Sequence, residues 1–569
     1  GKELEGLKCE PLLDIPLQKE FENCEEAHRV VLSIPIMKKK VAGKIREKKE
    51  VEGETEFGHL VDISTGTGIV HIAPGHGVED NEIGKHYNLP DPSPVNEQGE
   101  LEESTGMFKG NKTGDANAII LDHLESKNSL FYKTTLLHSS PVCWRCKTPL
   151  IYRKSKQWLV KLDTLRDKIL KEIKSVKWMP EFVEEQFANV IRNSPDWPVA
   201  RQRYWGIPLP VWICEKCDSI KVIGSREELK KHATKELHPD FDISVSVVDD
   251  VKLKCDCGGE MIREKDIMDV WFDSGCSPFA SLGYPFKNKD KFEKFQPVDL
   301  IDESQDQVRG WFYYLMVCGV ALFGKAPYKS VCMNGWTLDE KGDKMSKSVG
   351  NVIWAEEAYK ELGADITRLY LCSATAPWET LKVSLEEAKT THNSLNTIWN
   401  LVSFVKSYGI AEQTDSDKIE AEELVDKWLI SGVNSLVLEV TDDLENFRFH
   451  YGSRKILDFV VNDFSRIYIK LVRDRAESKE VGKIMLYTLD RVLKLLAPIA
   501  PFVTDELYNQ LHNKSVHLSE WPIAEEEKIN KDLEKKFEVA KEISGAVNNE
   551  RQKQGVRLRL PVRKATVFG

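Results

Sequence analysis

The sequence predicts a multidomain α/β protein, and three observations carry that prediction. The chain has 569 residues, of which 41% are apolar and 30% charged, so it has globular composition and room for about three to five domains. From residue 298 the order strand, helix, strand, loop is typical of a parallel α/β unit. Apolar residues then recur at helical spacing almost continuously over 385–545. Collagen-like, low-complexity and mostly disordered chains are therefore excluded.

Charge and cysteine content narrow the class further. A formal net charge of −11 excludes a protein whose whole surface is basic for nucleic-acid binding, but it is compatible with local basic surfaces. No stretch approaches the roughly 18 apolar residues of a membrane span. The 12 cysteines include three close pairs, which in a long chain without a signal peptide favour metal binding over a disulfide framework. We expect a reducing, cytoplasmic compartment and no membrane contact.

The elements follow in chain order. In residues 1–140, β-prone runs such as VVLSIPI and GIVHIAP alternate with Gly and Asp turns, which predicts a mostly β module. Helical spacing appears in QWLVKLDTLRDKILKEIKSV (157–176) and around FVEEQFANVI (182–191). Residues 205–265 form a cysteine-bearing insert, and the acidic run 412–426 fits a solvated junction within the helical region.

The strongest metal signal is a pair of cysteine knuckles. They comprise Cys214, Cys217, Cys255 and Cys257. Four thiolates suit tetrahedral Zn²⁺ and leave no open position for water, so the predicted role is structural. The alternative is buried free cysteines, but two such pairs about 40 residues apart seldom arise by chance. A third pair, Cys143 and Cys146, forms only half a site; either its partners lie outside this sequence or it is a reduced thiol pair.

A Gly- and Lys-rich loop, DEKGDKMSKSVGN (339–351), follows a predicted strand. Lys344 and Lys347 with the hydroxyl of Ser346 form a flexible cationic clamp, which suits a triphosphate whose charge grows during displacement at phosphorus. By composition alone, a solvated loop is the competing interpretation.

The segment DESQDQVRGWF (302–312) begins where the predicted strand PVDLI ends. Ligands of open α/β sheets bind beyond the carboxyl ends of strands. Glu303, Asp306 and Gln307 are therefore placed to hold an ammonium group or a ribose. Helix capping by Asp302 or Ser304 is the alternative, and both roles are compatible.

Two further segments carry candidate binding groups. GTGIVHIAPGHGVED (66–80) holds two histidines and two acids at a spacing that fits no common zinc site, so a pocket with a carboxylate for an amino group is favoured. In RQKQGVRLRLPVRK (551–564), six of fourteen residues are basic and none is acidic. Alternation of apolar residues with Arg557, Arg559 and Arg563 predicts a strand with one cationic face, suited to RNA phosphates or simply to water.

Taken together, these motifs resemble the class I aminoacyl-tRNA synthetases, in particular the isoleucyl branch of that family. KMSKS (344–348) matches the second signature of the class, and DVWFDSG (269–275) resembles the isoleucyl version of its motif. The resemblance extends over NSPDWPVARQRYWGIPLPVW (193–212), the 66–80 segment, and FHYGSRKILDFVVNDFSRIYIKLVRDR (449–475) with APIAPF. It therefore covers essentially the whole chain.

The resemblance implies residue roles. Lys344, Ser346 and Lys347 would bind ATP, with the two lysines catalytic. Glu303 would bind the substrate's amino group, and Asp306 and Gln307 would line the adenylate pocket. Trp271 and Trp311 would form the walls around the isoleucine side chain. Asp80 would anchor the amino group in the editing site, and His71 would lie near the ribose.

It also implies an organisation and an activity. The expected domains are a β-rich editing portion (1–140), the second half of a Rossmann-type catalytic domain with a zinc insert at about 205–265 (141–384), a helical anticodon-binding domain (385–545) and the start of a basic domain (546–569). The expected reaction is ATP- and Mg²⁺-dependent ligation of L-isoleucine to tRNA by a monomeric protein, with editing of valine. A valyl enzyme and an editing-only deacylase are the alternatives.

The family's first signature, a His-x-Gly-His loop, is absent from this sequence, and so is the Thr-rich strand of the editing site. The chain also begins at Gly1 and stops within an apolar run, VRKATVFG. We therefore expect an internal piece of a longer protein that is inactive by itself.

Overall fold

The chain divides between Gln157 and Trp158 into two structural units. The computed structural model describes residues 2–32, 61, 67–135, 137, 139–143, 146–203, 205–347, 349–407, 419, 421–557, 560–561, 563–564 and 566. In that part of the chain, no helix combines the length and the apolarity that crossing a membrane requires.

In the first unit, the described residues form helices connected by irregular chain. Its α-helices are Pro16–Glu20, Val78–Tyr87 and Thr113–Ser126, with 3-10 turns at Lys2–Leu4 and Glu103–Phe108. Among the described residues it has single β-bridges, such as Val95 with Leu101, in place of the strands that the sequence predicts. GIVHIAP forms no strand there, and VVLSIPI lies largely outside the described residues. A β-prone run becomes a strand only where another backbone segment pairs with it, and the described residues provide GIVHIAP with no such partner.

A parallel sheet lies at the centre of the first part of the second unit. Among the described residues its strands are, in spatial order, Val298–Ser304, Tyr328–Asn334 and Lys177–Met179. Helix Trp311–Phe323 connects the first two strands, which confirms the predicted strand–helix–strand unit. The helix is apolar on nearly every face, and most of its side chains are buried.

Two predicted elements are shorter than their patterns suggest. Of the helical pattern 157–176, only Arg166–Ile173 is helical, because Leu159–Val160 pairs with Trp197–Pro198 instead. The predicted strand KSVCMNGWTL is broken at Gly335, after which Thr337–Leu338 pairs in parallel with Leu381–Lys382. A Cβ atom on Gly335 would lie 2.2 Å from the carbonyl oxygen of Glu379, so the chain turns where only glycine fits.

The predicted insert folds as an antiparallel sheet. Its described strands are, in spatial order, Ile220–Val222, Val211–Cys214, Glu260–Arg263 and Leu253–Lys254. Helices Arg226–His232 and Val245–Val248 accompany it, and the hydroxyl of Ser225 caps the first of them. The core of the insert is small, with Trp212, Leu253 and Met261 among its buried side chains.

Short elements complete the region up to residue 384. The helices are Phe182–Asn193, Val270–Gly275, Ser277–Ala280, Lys289–Phe295, Ala355–Leu362 and Ala364–Ala374, with a 3-10 turn at Gln305–Arg309. Ala200–Arg201 pairs antiparallel with Ile267–Met268.

The described residues between 385 and 553 are mostly helical, as the sequence predicts for 385–545. The α-helices are Leu385–Ser407, Leu424–Glu445, Phe449–Asp458, Ile469–Val472, Lys479–Leu496, Pro501–His512 and Lys531–Lys553; Phe459–Tyr468 is a π-helix, and 3-10 turns lie at Arg473–Arg475, Val516–Leu518 and Glu526–Lys528. Their apolar faces share one large core. Within it, the buried carboxylate of Asp426 accepts hydrogen bonds from Tyr468 and Arg475, which satisfy its charge. Most of the predicted acidic junction lies outside the described residues.

Candidate active site and metal centre

Two strands of the parallel sheet end side by side, and polar side chains occupy that edge. Strands Val298–Ser304 and Tyr328–Asn334 are in parallel register, with Ser304 opposite Asn334. The amide of Asn334 donates to Asp302 Oδ1 at 2.6 Å, so side chains also join the carboxyl ends of the strands. Burial raises the pKa of Asp302. Glu303 is exposed at this edge, where the sequence predicts the ligand for an ammonium group.

Asp306 and Gln307 follow in the 3-10 turn Gln305–Arg309. Asp306 accepts hydrogen bonds from the hydroxyl of Ser304 and from Nε2 of Gln307, the latter at 3.0 Å. Gln307 Oε1 accepts from the backbone N–H of Trp311 at 2.8 Å. Gln307, and neither Asp302 nor Ser304, therefore satisfies the first N–H of helix Trp311–Phe323. The carboxylate of Asp306 remains exposed to solvent.

Trp271 and Trp311 lie half-buried on adjoining helices. The Trp271 ring stacks on Tyr314, with ring centroids 5.0 Å apart and planes at 20°. Trp311 Nε1 donates to the carbonyl of Ser274 at 3.1 Å, which holds the second indole against the helix that carries the first. A Cβ atom on Gly310 would lie 3.2 Å from Trp271, so glycine allows the two aromatic side chains to share one region.

A buried carboxylate behind this region escaped the sequence interpretation. Asp269 is 2% exposed and accepts hydrogen bonds from Trp197 Nε1 at 3.1 Å and from the guanidinium of Arg201 at 2.8 Å. All three residues lie in the quoted motifs 193–212 and 269–275, but their 68-residue separation hides the contact. The ion pair of Arg201 and Asp269 holds the residue that precedes helix Val270–Gly275, and this helix carries Trp271.

The loop 339–351 lies beyond the central strand, as predicted. Lys344 Nζ lies 5.0 Å from the centroid of the Trp336 ring, and Lys347 Nζ lies 5.1 Å from that of Trp354. Neither ammonium group forms an ion pair with any residue that the structure describes. Because an exposed cation–π contact contributes only about 0.5–1 kcal/mol, both lysines are available to a stronger anionic partner.

The four cysteines of the insert come together, as their spacing predicts. Their sulfur atoms all lie within 4.8 Å of one another, with Cys214 Sγ 3.6 Å from Cys257 Sγ and Cys217 Sγ 3.7 Å from Cys255 Sγ. A tetrahedron with Zn–S bonds of about 2.3 Å has S–S edges of about 3.8 Å, so the cluster fits zinc without rearrangement. A Cβ atom on Gly259 would lie 3.0 Å from Cys214 Sγ, and glycine there keeps the sulfur cage open.

The mutual effects of the four thiols on their pKa values also favour a bound cation. The hydroxyl and N–H of Ser219 lower the pKa of Cys217 to about 6. The N–H of Gly259 lowers the pKa of Cys257, but the three neighbouring thiols more than offset this and raise it to about 12. Without a cation, the four sulfurs cannot all ionise at neutral pH, and a divalent metal removes that conflict.

The loop of Cys143 and Cys146 has the same hydrogen-bond pattern as the first knuckle of the cluster. Cys143 N donates to Thr148 O and Lys147 N donates to Cys143 O, both at 2.8 Å. In the cluster, Cys214 N donates to Ser219 O at 2.9 Å and Asp218 N donates to Cys214 O at 3.0 Å. Lys147 and Asp218 also share a left-handed backbone, with φ of 61° and 55°. The described residues bring no further ligand to Cys143 and Cys146.

In the first unit, Asp80 lies in helix Val78–Tyr87 and holds the preceding loop. Its Oδ2 accepts from the backbone N–H of Ala73 at 3.0 Å, and a Cβ atom on Gly77 would lie 2.5 Å from the same oxygen. His71 is exposed two residues before Ala73. The neighbouring His76 is engaged by the carbonyl of Tyr152, 2.8 Å from its Nδ1.

The basic segment does not form the predicted strand over its described residues. Leu560 N donates to Arg557 O at 3.0 Å, and no strand pairs with the described residues of the segment. Arg551 of helix Lys531–Lys553 donates to Arg557 O at 2.7 Å. The side chains of Arg557 and Arg563 are solvent-accessible, and Arg559 lies outside the described residues.

Two family models match this chain, and the first of them covers most of the first unit as well as part of the second. A family model described as tRNA synthetases class I (I, L, M and V) matches residues 20–384. A second, described as the anticodon-binding domain of tRNA ligase, matches residues 426–566.

Curated relatives cover the chain from end to end. It is 40% identical over 590 residues to the Isoleucine--tRNA ligase of Methanothermobacter marburgensis, covering 100% of this chain and 53% of that protein. It is 41% identical over 531 residues to the Isoleucine--tRNA ligase of Methanothrix thermoacetophila, covering 90% of this chain and 50% of that protein. The chain thus spans about half the length of the curated relatives it matches.

A solved structure shares the fold. The Mycobacterium tuberculosis methionyl-tRNA synthetase in complex with methionyl-adenylate matches with a TM-score of 0.50 and 16% identity, covering 66% of each chain.

Proposed function

This chain belongs to the class I tRNA synthetases of the isoleucine, leucine, methionine and valine group, and from that premise we propose that it acts within an isoleucine--tRNA ligase. The ligase would activate L-isoleucine with ATP and transfer it from the adenylate to tRNA. Residues 158–384 would carry phosphate and amino-acid binding, and the helical region would bind the tRNA anticodon. The closeness of the Isoleucine--tRNA ligases over the whole chain supports this choice within the group.

One structural observation carries the proposal. The strand that ends at Asn334 leads into the lysine loop, and its neighbour ends at Glu303, with the Asn334–Asp302 hydrogen bond joining the two ends. Parallel strands present their carboxyl ends at a common edge. An ammonium ligand and a phosphate clamp therefore adjoin the same edge, which suits a reaction between an amino acid and ATP.

The chemistry divides between two groups of residues. The isoleucine carboxylate would attack the α-phosphorus of ATP, forming a C–O–P bond as the bond to pyrophosphate breaks. Lys344 and Lys347 would stabilise the negative charge that develops on the phosphates, and Ser346 would donate a hydrogen bond to them. Magnesium, bound with ATP, would neutralise part of that charge.

Amino-acid recognition would rest on Glu303 and the two indoles. The exposed Glu303 carboxylate would bind the substrate's ammonium group, while Asp306 and Gln307 would line the adenylate pocket. Trp271 and Trp311, held by Tyr314 and by the Ser274 carbonyl, would enclose the aliphatic side chain. An apolar pocket distinguishes isoleucine from valine by only about 10–200-fold, and isoleucyl-tRNA synthetase is the standard example of that range. A hydrolytic site with Asp80 and His71 would remove valine.

Metal and RNA contacts would support this core. Cys214, Cys217, Cys255 and Cys257 would hold a structural Zn²⁺ that stabilises the insert, and the knuckle of Cys143 and Cys146 would supply half of a second site. Arg557, Arg559 and Arg563 would contact tRNA phosphates beyond the helical domain.

ATP–pyrophosphate exchange tests the proposal. It should be measured on the complete product of the reading frame that encodes this chain, hereafter the complete protein, with isoleucine, valine, leucine and methionine in turn. We expect exchange with isoleucine to exceed exchange with valine by about 10–200-fold. Preference for valine would indicate a valyl enzyme. Hydrolysis of valyl-tRNA without any exchange would indicate an editing-only deacylase.

A further inference from the structure

The base of the lysine loop is closed by two side chains that the proposed chemistry does not use. These are Asp339, the first residue of the loop, and Asn351, the last. Asp339 Oδ2 accepts from Asn351 Nδ2 at 2.8 Å. The loop therefore begins and ends on one side-chain hydrogen bond.

Each member of the pair also holds part of the backbone between them. Asp339 Oδ1 accepts from Lys341 N at 3.1 Å and from Asp343 N at 2.7 Å, which fixes the limb leading to Lys344. Asn351 Nδ2 donates to Lys344 O at 3.3 Å, and Asn351 Oδ1 accepts from Ser346 N at 2.9 Å. The backbone of Lys344 and that of Ser346, next to Lys347, are thus both anchored to Asn351.

The pair has the charge state that these bonds require. Asp339 accepts three hydrogen bonds and donates none, which only a carboxylate does, and the contact with Asn351 lowers its pKa. Asn351 uses its amide as donor and its carbonyl as acceptor at once, so an aspartate of equal size cannot replace it opposite the Asp339 carboxylate.

We propose that Asp339 and Asn351 are positioning residues that set where the Lys344 and Lys347 ammonium groups lie when phosphate charge develops. This inference rests on the proposed function, because it assigns the purpose of the pair to the phosphate clamp. The pair holds the loop backbone and would act through it. Its loss should slow the reaction step and leave isoleucine binding unchanged, since a misplacement of about 1 Å can cost on the order of 10²-fold in rate.

A charge swap tests the pair. In the complete protein, Asn351→Asp places two carboxylates against each other and should lower the kcat of ATP–pyrophosphate exchange by about 10²-fold at an unchanged KM for isoleucine. The double variant Asp339→Asn with Asn351→Asp restores a donor facing an acceptor and keeps acceptors for the N–H groups of Lys341, Asp343 and Ser346, and it loses only the 3.3 Å bond from residue 351 to Lys344 O. We expect it to recover at least about tenfold of the lost rate. Glu340→Gln, exposed on the same loop, is the matched control and should leave the rate unchanged.

A second measurement on the 569-residue chain needs no activity. Amide hydrogen exchange of the peptide spanning 339–351 should accelerate in Asn351→Asp, return toward wild type in the swap, and stay unchanged in Glu340→Gln. If the wild-type protein catalyses ATP–pyrophosphate exchange and the kcat of Asn351→Asp lies within twofold of the wild-type value, the positioning role is wrong. The positioning role is also wrong if the double variant fails to reverse the defect of Asn351→Asp in both assays. Absence of isoleucine-dependent exchange in the wild-type complete protein would instead contradict the proposed function, and unchanged loop protection in Asn351→Asp would then overturn the positioning inference separately.

Discussion

Replacing Cys255 with Ser should empty the metal site and unfold the insert. The cluster brings four sulfurs within 4.8 Å of one another at edges of 3.6 and 3.7 Å, so each thiolate would supply one of four bonds to a zinc ion. Structural zinc sites of this kind have apparent binding free energies of about 10–16 kcal/mol near neutral pH. The antiparallel sheet around the site has four short strands and a small core, so a zinc binding energy of this size would be a large part of its stability.

Two measurements on the 569-residue chain check this prediction. Elemental analysis should find one zinc per chain in a Cys143→Ser, Cys146→Ser background and none once Cys255→Ser is added. Amide hydrogen exchange should rise across residues 211–263 and stay low in helix Phe182–Asn193. Cys9→Ser, at an exposed cysteine outside the cluster, is the control and should retain the zinc. An unchanged zinc content in the Cys255→Ser chain would refute the assignment.

The remaining predictions concern the complete protein and the stability of the chain. Lys347→Ala should slow single-turnover adenylate formation by about 10²–10³-fold with isoleucine binding unchanged, because its charge acts where phosphate charge moves; a rate within twofold of wild type would exclude that role. Asp80→Ala should leave isoleucine charging near normal and let valyl-tRNA accumulate. Asp80→Asn keeps an acceptor for the Ala73 N–H but removes the negative charge, so it distinguishes a role of the charge from a role in holding the loop. Wild-type levels of valyl-tRNA in both variants would show that Asp80 is structural. Asp269→Ala should lower the urea-derived free energy of unfolding by about 2–4 kcal/mol, because it leaves Trp197 and Arg201 without their acceptor, and a loss below 1 kcal/mol would contradict that reasoning. Arg557→Ala with Arg563→Ala should reduce the slope of log affinity for tRNA against log salt by about 1.4–1.8, and an unchanged slope would remove both arginines from the RNA contact.

The sequence predicted those parts of the fold that depend on residues close together in the chain. Helical spacing over 385–545 identified a helical region, because an amphipathic helix repeats its apolar face within the sequence. The spacing of Cys214, Cys217, Cys255 and Cys257 predicted their assembly, because two tight turns present sulfurs in pairs. The strand–helix–strand unit was likewise readable from its order of elements.

Features that depend on distant partners were not readable in this way. GIVHIAP has the composition of a strand but no pairing partner among the described residues, and the described residues of the Arg-alternating segment likewise pair with no strand. Asp269 meets Arg201 across 68 residues, so neither pattern alone indicates a buried ion pair. The role of Asn351 depends on the loop closing back on Asp339. Sequence motifs indicated the candidate site, and the contacts that support its side chains required the structure.

The most direct test of the account is charging of tRNA by the complete protein. Acid-precipitable isoleucyl-tRNA should form from labelled isoleucine, ATP and Mg²⁺, and Lys347→Ala should reduce its initial rate by about 10²-fold or more. Preferential charging with another amino acid, or isoleucine charging that Lys347→Ala leaves unchanged, would contradict the assignment of this chain and of its phosphate clamp.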